Sequence, residues 1–208
     1  MAILSREFYN GDTVEIAQKL LGKYLVRRLT DGTLLVGRII ETEAYVGRCD
    51  KACHAYRYRT TPRTSTLFAP PGTAYVYLIY GMYDCLNFVT EPEGEPSAVL
   101  LRSVEPVAGE ETMRFFRYGD KSMTAYRRKN FLNGPGKVCR AFAVTRAQNG
   151  LDLTTGEDLF LCDSPEDVAL PCPAPTKEQM RTGKRIGVDY AEEAKDFPWR
   201  FWLEKEET

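Results

Sequence analysis

The sequence predicts an α+β fold, a single domain over residues 1–208 built on a curved, mainly antiparallel sheet with surrounding helices and a protruding β-hairpin. Three observations carry that expectation. β-rich runs near 73–79, 83–90 and 98–104 follow one another with short breaks, as in an antiparallel meander. An Asp31-Gly32 turn separates two further β-rich runs, a strong hairpin signal. Helical apolar stripes lie before and after these strands, and a 208-residue chain that is 43% hydrophobic can bury one sizeable core.

In chain order, Asp12 with Glu15 has the form of a capping box, and Val14, Ile16, Ala17, Leu20 and Leu21 supply an apolar stripe that stops at Gly22, so a helix is expected over 13–21. Strands follow from Tyr24 to Leu29 and from Leu34 to Tyr45. Residues 46–72 are polar, arginine-bearing and broken by prolines; a long irregular segment inside a compact domain is commonly functional. After the meander, Pro106 is expected to lead into an amphipathic helix through about 117, and 118–132 reads as a basic loop. Gly134-Pro135-Gly136 opens a helix to about Thr145. A strand near Leu159–Cys162, a Pro/Cys-rich loop at 164–175, a helical start at Thr176–Met180 and a strand at Trp199–Leu203 complete the reading. There is no internal repeat, linker or low-complexity tract.

Composition excludes several classes of function. No run approaches the roughly 20 apolar residues of a membrane span, and the apolar stretch at the start is too short for a secretory signal, so an intracellular protein with no membrane partner is expected. Six scattered cysteines without a Cys-x-x-Cys, beside a single histidine, argue against a zinc site and for reduced structural thiols. No metal and no cofactor is expected. With 28 Lys+Arg against 29 Asp+Glu, bulk charge lends nucleic-acid binding no support. Local distribution differs: Arg57, Arg59, Arg63, Arg127, Arg128, Lys129, Lys137, Arg140, Lys184 and Arg185 cluster in loops and element ends.

The chemistry-bearing residues concentrate between Glu41 and Arg102. On a strand Glu41, Glu43 and Tyr45 share a face, with the two acids roughly 7 Å apart at their Cα atoms. They either form a hydrolytic site or pair with arginines at a sheet edge. Tyr75 and Tyr77 also share a face, and Tyr80 falls at a hairpin tip beside Gly81. These rings either pack across strands or offer flat platforms that stack on heterocycles and attract cationic ones. Asn87 and Arg102, on the next two strands, are placed to reach the same cleft. His54 is either a structural histidine or part of that cleft. Gly134-Pro135-Gly136-Lys137 lacks the Walker spacing and the Ser/Thr after lysine; it either initiates a helix or offers amides to a phosphate. Together, carboxylates beside aromatic faces suggest the handling of a nucleobase.

Glu41-Thr42-Glu43-Ala44-Tyr45, His54, Thr61-Pro62-Arg63, the run Pro71-Gly72-Thr73-Ala74-Tyr75-Val76-Tyr77-Leu78-Ile79-Tyr80-Gly81-Met82-Tyr83, Asn87, Leu100-Leu101-Arg102 and Gly134-Pro135-Gly136-Lys137 stand in an order and spacing that resembles the alkyladenine (3-methyladenine) DNA glycosylase family. The resemblance covers nearly the whole chain. It implies a monofunctional glycosylase that flips alkylated or deaminated purines out of double-stranded DNA and leaves an abasic site. On that resemblance Glu43 is the general base and Arg102 helps hold the attacking water. Tyr45, His54 and Tyr77 wall the base pocket, and Asn87 crowds the exocyclic amino group of normal guanine. Tyr80 is the wedge that enters the duplex, with Met82, Arg63, Gly136 and Lys137 contacting DNA. A monomer is expected, in the cytoplasm or nucleoid of a bacterium or the nucleus of a eukaryote. Thr64 and Asp84 depart from the residues usual at those positions. Two other readings remain open: a carbohydrate O-glycosidase using Glu41 and Glu43, and a non-catalytic module whose tyrosines stack single-stranded bases.

Overall fold

A computed structural model describes residues 3–172 and 177–205. In chain order the elements are α1 (Arg6–Tyr9), α2 (Thr13–Lys19), β1 (Tyr24–Arg28), β2 (Leu34–Val46), β3 (Ala74–Ile79), β4 (Tyr83–Thr90), β5 (Ser97–Ala108), α3 (Glu110–Tyr118), α4 (Ala125–Lys129), α5 (Pro135–Ala141), β6 (Leu159–Cys162), β7 (Glu178–Gly183) and β8 (Arg200–Lys205). The strands form one sheet in the order β3-β4-β5-β2-β1-β6, with β8 pairing β2 and β7 pairing β8. Every pairing between these strands is antiparallel. The α+β expectation therefore holds.

β2 is the strand on which the site depends. Its first half pairs with β1 and its second half with β8, so Glu41–Glu43 is hydrogen-bonded on both edges, to β5 and to β8. Before the middle of the strand the odd-numbered Leu35 and Ile39 pack into the main core, with Gly37 between them against Phe142. Past it the even-numbered residues face inward: Ala44 joins that core, and Thr42 donates to the Ala17 carbonyl of α2. The register against β5 shifts on both sides of Glu41. A bulge there reverses the alternation and turns Glu41, Glu43 and Tyr45 to the opposite face.

The two faces of the sheet thus have different jobs. Ala74 and Val76 of β3, Leu86 and Phe88 of β4, and Val99 and Leu101 of β5 join residues of α2, α3 and α5 in the core. The alternate residues Tyr75, Tyr77, Cys85, Asn87, Leu100 and Arg102 look the other way.

Several local expectations need correction. Asp12 caps α2 through its carboxylate, accepting from the Val14 and Glu15 amides, but Glu15 pairs with Lys19 instead of closing a capping box. β5 continues through Pro106 to Ala108 because Pro106 lies opposite Gly37 at a register shift, so the helix begins only at Glu110. Within the supposed loop at 118–132, Thr124 caps the short α4. α5 stops at Ala141, short of Thr145. The expected helical start at Thr176–Met180 is overturned where it is described: Glu178–Gly183 is a strand paired along β8, and that pairing outweighs local helix preference, while Thr176 lies outside the described residues. All six cysteines are free, and four of them are buried. Among the described residues no helix is long and apolar enough to cross a membrane.

Candidate active site

The outward face of the sheet lines a cavity of about 760 Å³, closed on its sides by the 52–54 loop, the 186–190 segment and the start of α5. At its base lies an ionic knot. Arg102 donates from Nε to Glu41 at 3.0 Å and stands 3.3 Å from Glu43 Oε1. Glu41 also meets Arg200 at 3.5 Å. Both acids therefore pair with arginine, as one of the two sequence readings had it, though in a part of β2 paired on both sides and not at a sheet edge.

Glu43 is the most enclosed member of the knot. Its side chain has 0% exposure, and each oxygen has a donor: Oε1 accepts from the Ile186 backbone N–H at 2.8 Å, and Oε2 from the Tyr45 hydroxyl at 2.8 Å. Glu43 does not line the cavity itself; its partners Tyr45, Arg102 and Ile186 do. The carboxylate sits one layer behind the cavity wall, more deeply than a base open to the cleft. Burial pushes its pKa up, an effect that Arg102, the Ile186 amide and the Tyr45 hydroxyl only partly offset.

Tyr45 is fixed from behind by Arg185, whose guanidinium lies 4.7 Å from the ring centroid and 5.3 Å from that of Trp199. Arg185 is wholly buried. It donates to Asp50 Oδ1 at 2.8 Å, to the Ala44 carbonyl at 2.8 Å and to the Ala194 carbonyl at 3.0 Å. It does lie in a loop, as expected, but it is turned inward. Arg185 instead ties the 185–194 segment to β2 and so brings the Ile186 amide to Glu43.

Across the cavity stand Tyr75, Tyr77 and His54. The tyrosine centroids are 5.4 Å apart, and the His54 ring meets Tyr77 edge-on at 4.6 Å. His54 Nδ1 lies 3.0 Å from the Tyr75 hydroxyl, and Nε2 lies 3.3 Å from an N–H of Arg63. A guanidinium only donates, so Nε2 accepts and Nδ1 carries the proton toward Tyr75. Burial, and then the charge of Arg63, push the imidazole pKa down to about 4, which keeps it neutral. Asn87 lines the cavity with its amide nitrogen held by the Tyr75 and Cys85 carbonyls.

The β3–β4 hairpin carries Tyr80 at its tip, 80% exposed and at φ 52°, followed by Gly81 at φ 69°. Consecutive positive φ values suit a tight hairpin turn, and a tyrosine held there is strained in a way that functional tips commonly are. Met82 beside it is also exposed. Gly136 has a packing role: a Cβ there would come within 2.9 Å of Tyr83 Cβ, so only glycine lets α5 close on the hairpin. Lys137 lines the cavity with Nζ held by Asn130 Oδ1 at 3.1 Å and Asn133 Oδ1 at 2.8 Å. Thr64 is buried in a turn, bonded to Thr61 and the Arg59 carbonyl. Asp84 Oδ1 is shielded from solvent without a hydrogen-bond partner among the described residues. No group of three or more His, Cys, Asp or Glu among the described residues is placed to hold a metal ion.

A family model described as methylpurine-DNA glycosylase matches residues 7–207. The chain belongs to the methylpurine-DNA glycosylase family. Among curated relatives, a protein of Clostridium perfringens strain SM101 is 46% identical over 204 residues, covering 96% of this chain and 95% of the relative. One from Bacillus cytotoxicus is 47% identical over 197 residues, covering 95% and 94%. A third, from Alkaliphilus oremlandii, is 46% identical over 203 residues, covering 96% and 95%. All three are provisionally named 3-methyladenine DNA glycosylase.

For a methylpurine-DNA glycosylase, the sequence reading brought together most of the cavity face: Tyr45, His54, Tyr77, Asn87 and Arg102 all line it. It missed Asp50 and Tyr190, and gave no sign that Arg185 is buried. Tyr190 lines the cavity from the 186–190 segment, where no periodicity or motif marks it. Asp50 carried no signal because its partner is remote in sequence.

Proposed function

We propose that this methylpurine-DNA glycosylase flips alkylated or deaminated purines out of double-stranded DNA and hydrolyses the N-glycosidic bond, acting as a monomer without a covalent intermediate. The observation that carries this reading is the Glu43–Arg102–Tyr45–Ile186 knot directly behind an aromatic cavity large enough for a purine.

Extruding a nucleotide costs a few kcal/mol, least where damage has weakened pairing or stacking. The extruded base lies flat against Tyr45, Tyr77 and His54, while Tyr80 fills the space left in the duplex. Asn87 crowds the amino group of normal guanine. Met82, Gly136 and Lys137 lie beside the DNA strand. A water molecule enters between the partners of Glu43 and attacks the sugar carbon C1′. Its proton passes to the Glu43 carboxylate, whose raised pKa makes it a better base, while the charge of that carboxylate supports the oxocarbenium-like centre. The base departs with the bonding electron pair. Alkylated purines leave readily because they already carry positive charge, and aromatic stacking of such a cation adds about 0.5–2 kcal/mol.

The test is incubation of the purified protein with duplexes containing 3-methyladenine or hypoxanthine. Free base and an abasic strand sensitive to alkali support the reading. Strand cleavage without alkali, or borohydride trapping of protein on DNA, points instead to an amine nucleophile such as Lys137. Release of a reducing sugar from a glycan, with no action on damaged DNA, selects an O-glycosidase. Binding should weaken steeply with salt as phosphate contacts release counterions.

A further inference from the structure

Arg63 takes no part in the bond cleavage just described and does not line the cavity itself, yet its exposed guanidinium touches two rings that do. Its guanidinium carbon is 4.9 Å from the Tyr77 ring centroid, and one N–H points at His54 Nε2 at 3.3 Å. The other guanidiniums that touch Glu43 or the slot tyrosines are compensated: Arg102 by Glu41 and Glu43, and Arg185 by Asp50. Among the described residues no carboxylate pairs with Arg63.

We infer that Arg63 is a specificity-determining residue whose uncompensated charge against Tyr77 and His54 biases the slot toward neutral damaged purines and against positively charged ones. This deepens the proposed function and rests on it. An aromatic face attracts a cation through its quadrupole, and at Tyr77 a guanidinium already draws on that attraction. A cationic purine stacked in the slot also meets like-charge repulsion from Arg63 across the Tyr77 and His54 rings, whereas a neutral purine meets none. The groups facing His54 are Arg63, Tyr75 and Tyr77; burial holds both phenols protonated, so Arg63 alone brings a charge to the imidazole. Cation–π binding of a charged base by these tyrosines is therefore partly offset by the protein's own cation.

The experiment compares kcat/KM for wild type, Arg63→Gln and Arg63→Lys on duplexes carrying cationic 7-methylguanine or neutral hypoxanthine. Arg63→Gln should raise the 7-methylguanine to hypoxanthine ratio by about fivefold or more, and Arg63→Lys should stay near wild type. His54 is the only histidine in the chain, so a single imidazole NMR signal reports the local field, and its titration should move up in Arg63→Gln. An equal loss on both substrates, as a simple phosphate contact would give, overturns the inference. So does a ratio that rises as much in Arg63→Lys, or an unmoved His54 titration. A wild type that releases neither base removes the proposed function and this inference together; an active wild type with an unchanged ratio removes only the inference.

Discussion

The Tyr45 hydroxyl donates to Oε2 of Glu43 at 2.8 Å while the Tyr45 ring lines the cavity, so one side chain both borders the substrate and steadies the carboxylate behind it. The hydrogen bond favours the ionised form of Glu43 and works against the burial that raises its pKa. In Tyr45→Phe the ring stays and that support goes. The base is active when deprotonated, so activity is lost as pH falls through the Glu43 pKa. The acid limb of the excision profile should therefore move to higher pH, with little change at alkaline pH. An unmoved limb would mean that Glu43 is not the group being titrated.

Asp50 should matter for stability well beyond its size. It compensates a wholly buried Arg185, and both side chains have 0% exposure. Removing one partner of such a pair leaves an uncompensated buried charge, which costs about 3–5 kcal/mol. Asp50→Ala should lower the urea midpoint accordingly. A loss under about 1 kcal/mol would show that water or another acceptor replaces the carboxylate.

Tyr80 should show the opposite pattern. It is 80% exposed, so Tyr80→Ala should leave unfolding within about 0.5 kcal/mol of wild type. Affinity for a lesion-bearing duplex should fall roughly tenfold, the scale of one lost base–aromatic stack. Equal affinity of the two proteins, measured by fluorescence anisotropy at fixed salt, would remove Tyr80 as the wedge.

What could be read from the chain follows from how local each signal is. Tyr75 and Tyr77 are two apart on a strand, which alone puts both rings on one face. The hairpin tip is marked by Gly81, and the start of α2 by the carboxylate of Asp12. Alternation along β2 was a weaker guide than it looked. Counted from Leu35 and Ile39, it would bury Glu41 and Glu43 in the core, and only the bulge at Glu41 turns them to the cavity. No residue type announces that bulge. The enclosure of Glu43, the burial of Arg185 and the strand at Glu178–Gly183 likewise depend on partners far along the chain. An arginine in a loop reads as solvated until its carboxylate is found 135 residues away.

The central claim is that the Glu43 carboxylate, though behind the cavity wall, accepts the proton of the attacking water. Single-turnover base excision by wild type and Glu43→Gln, side by side on one lesion duplex with binding measured in parallel, tests it most directly. A rate loss of about 10²–10⁴-fold with lesion binding retained is the predicted result. Excision by Glu43→Gln within a few-fold of wild type would contradict it.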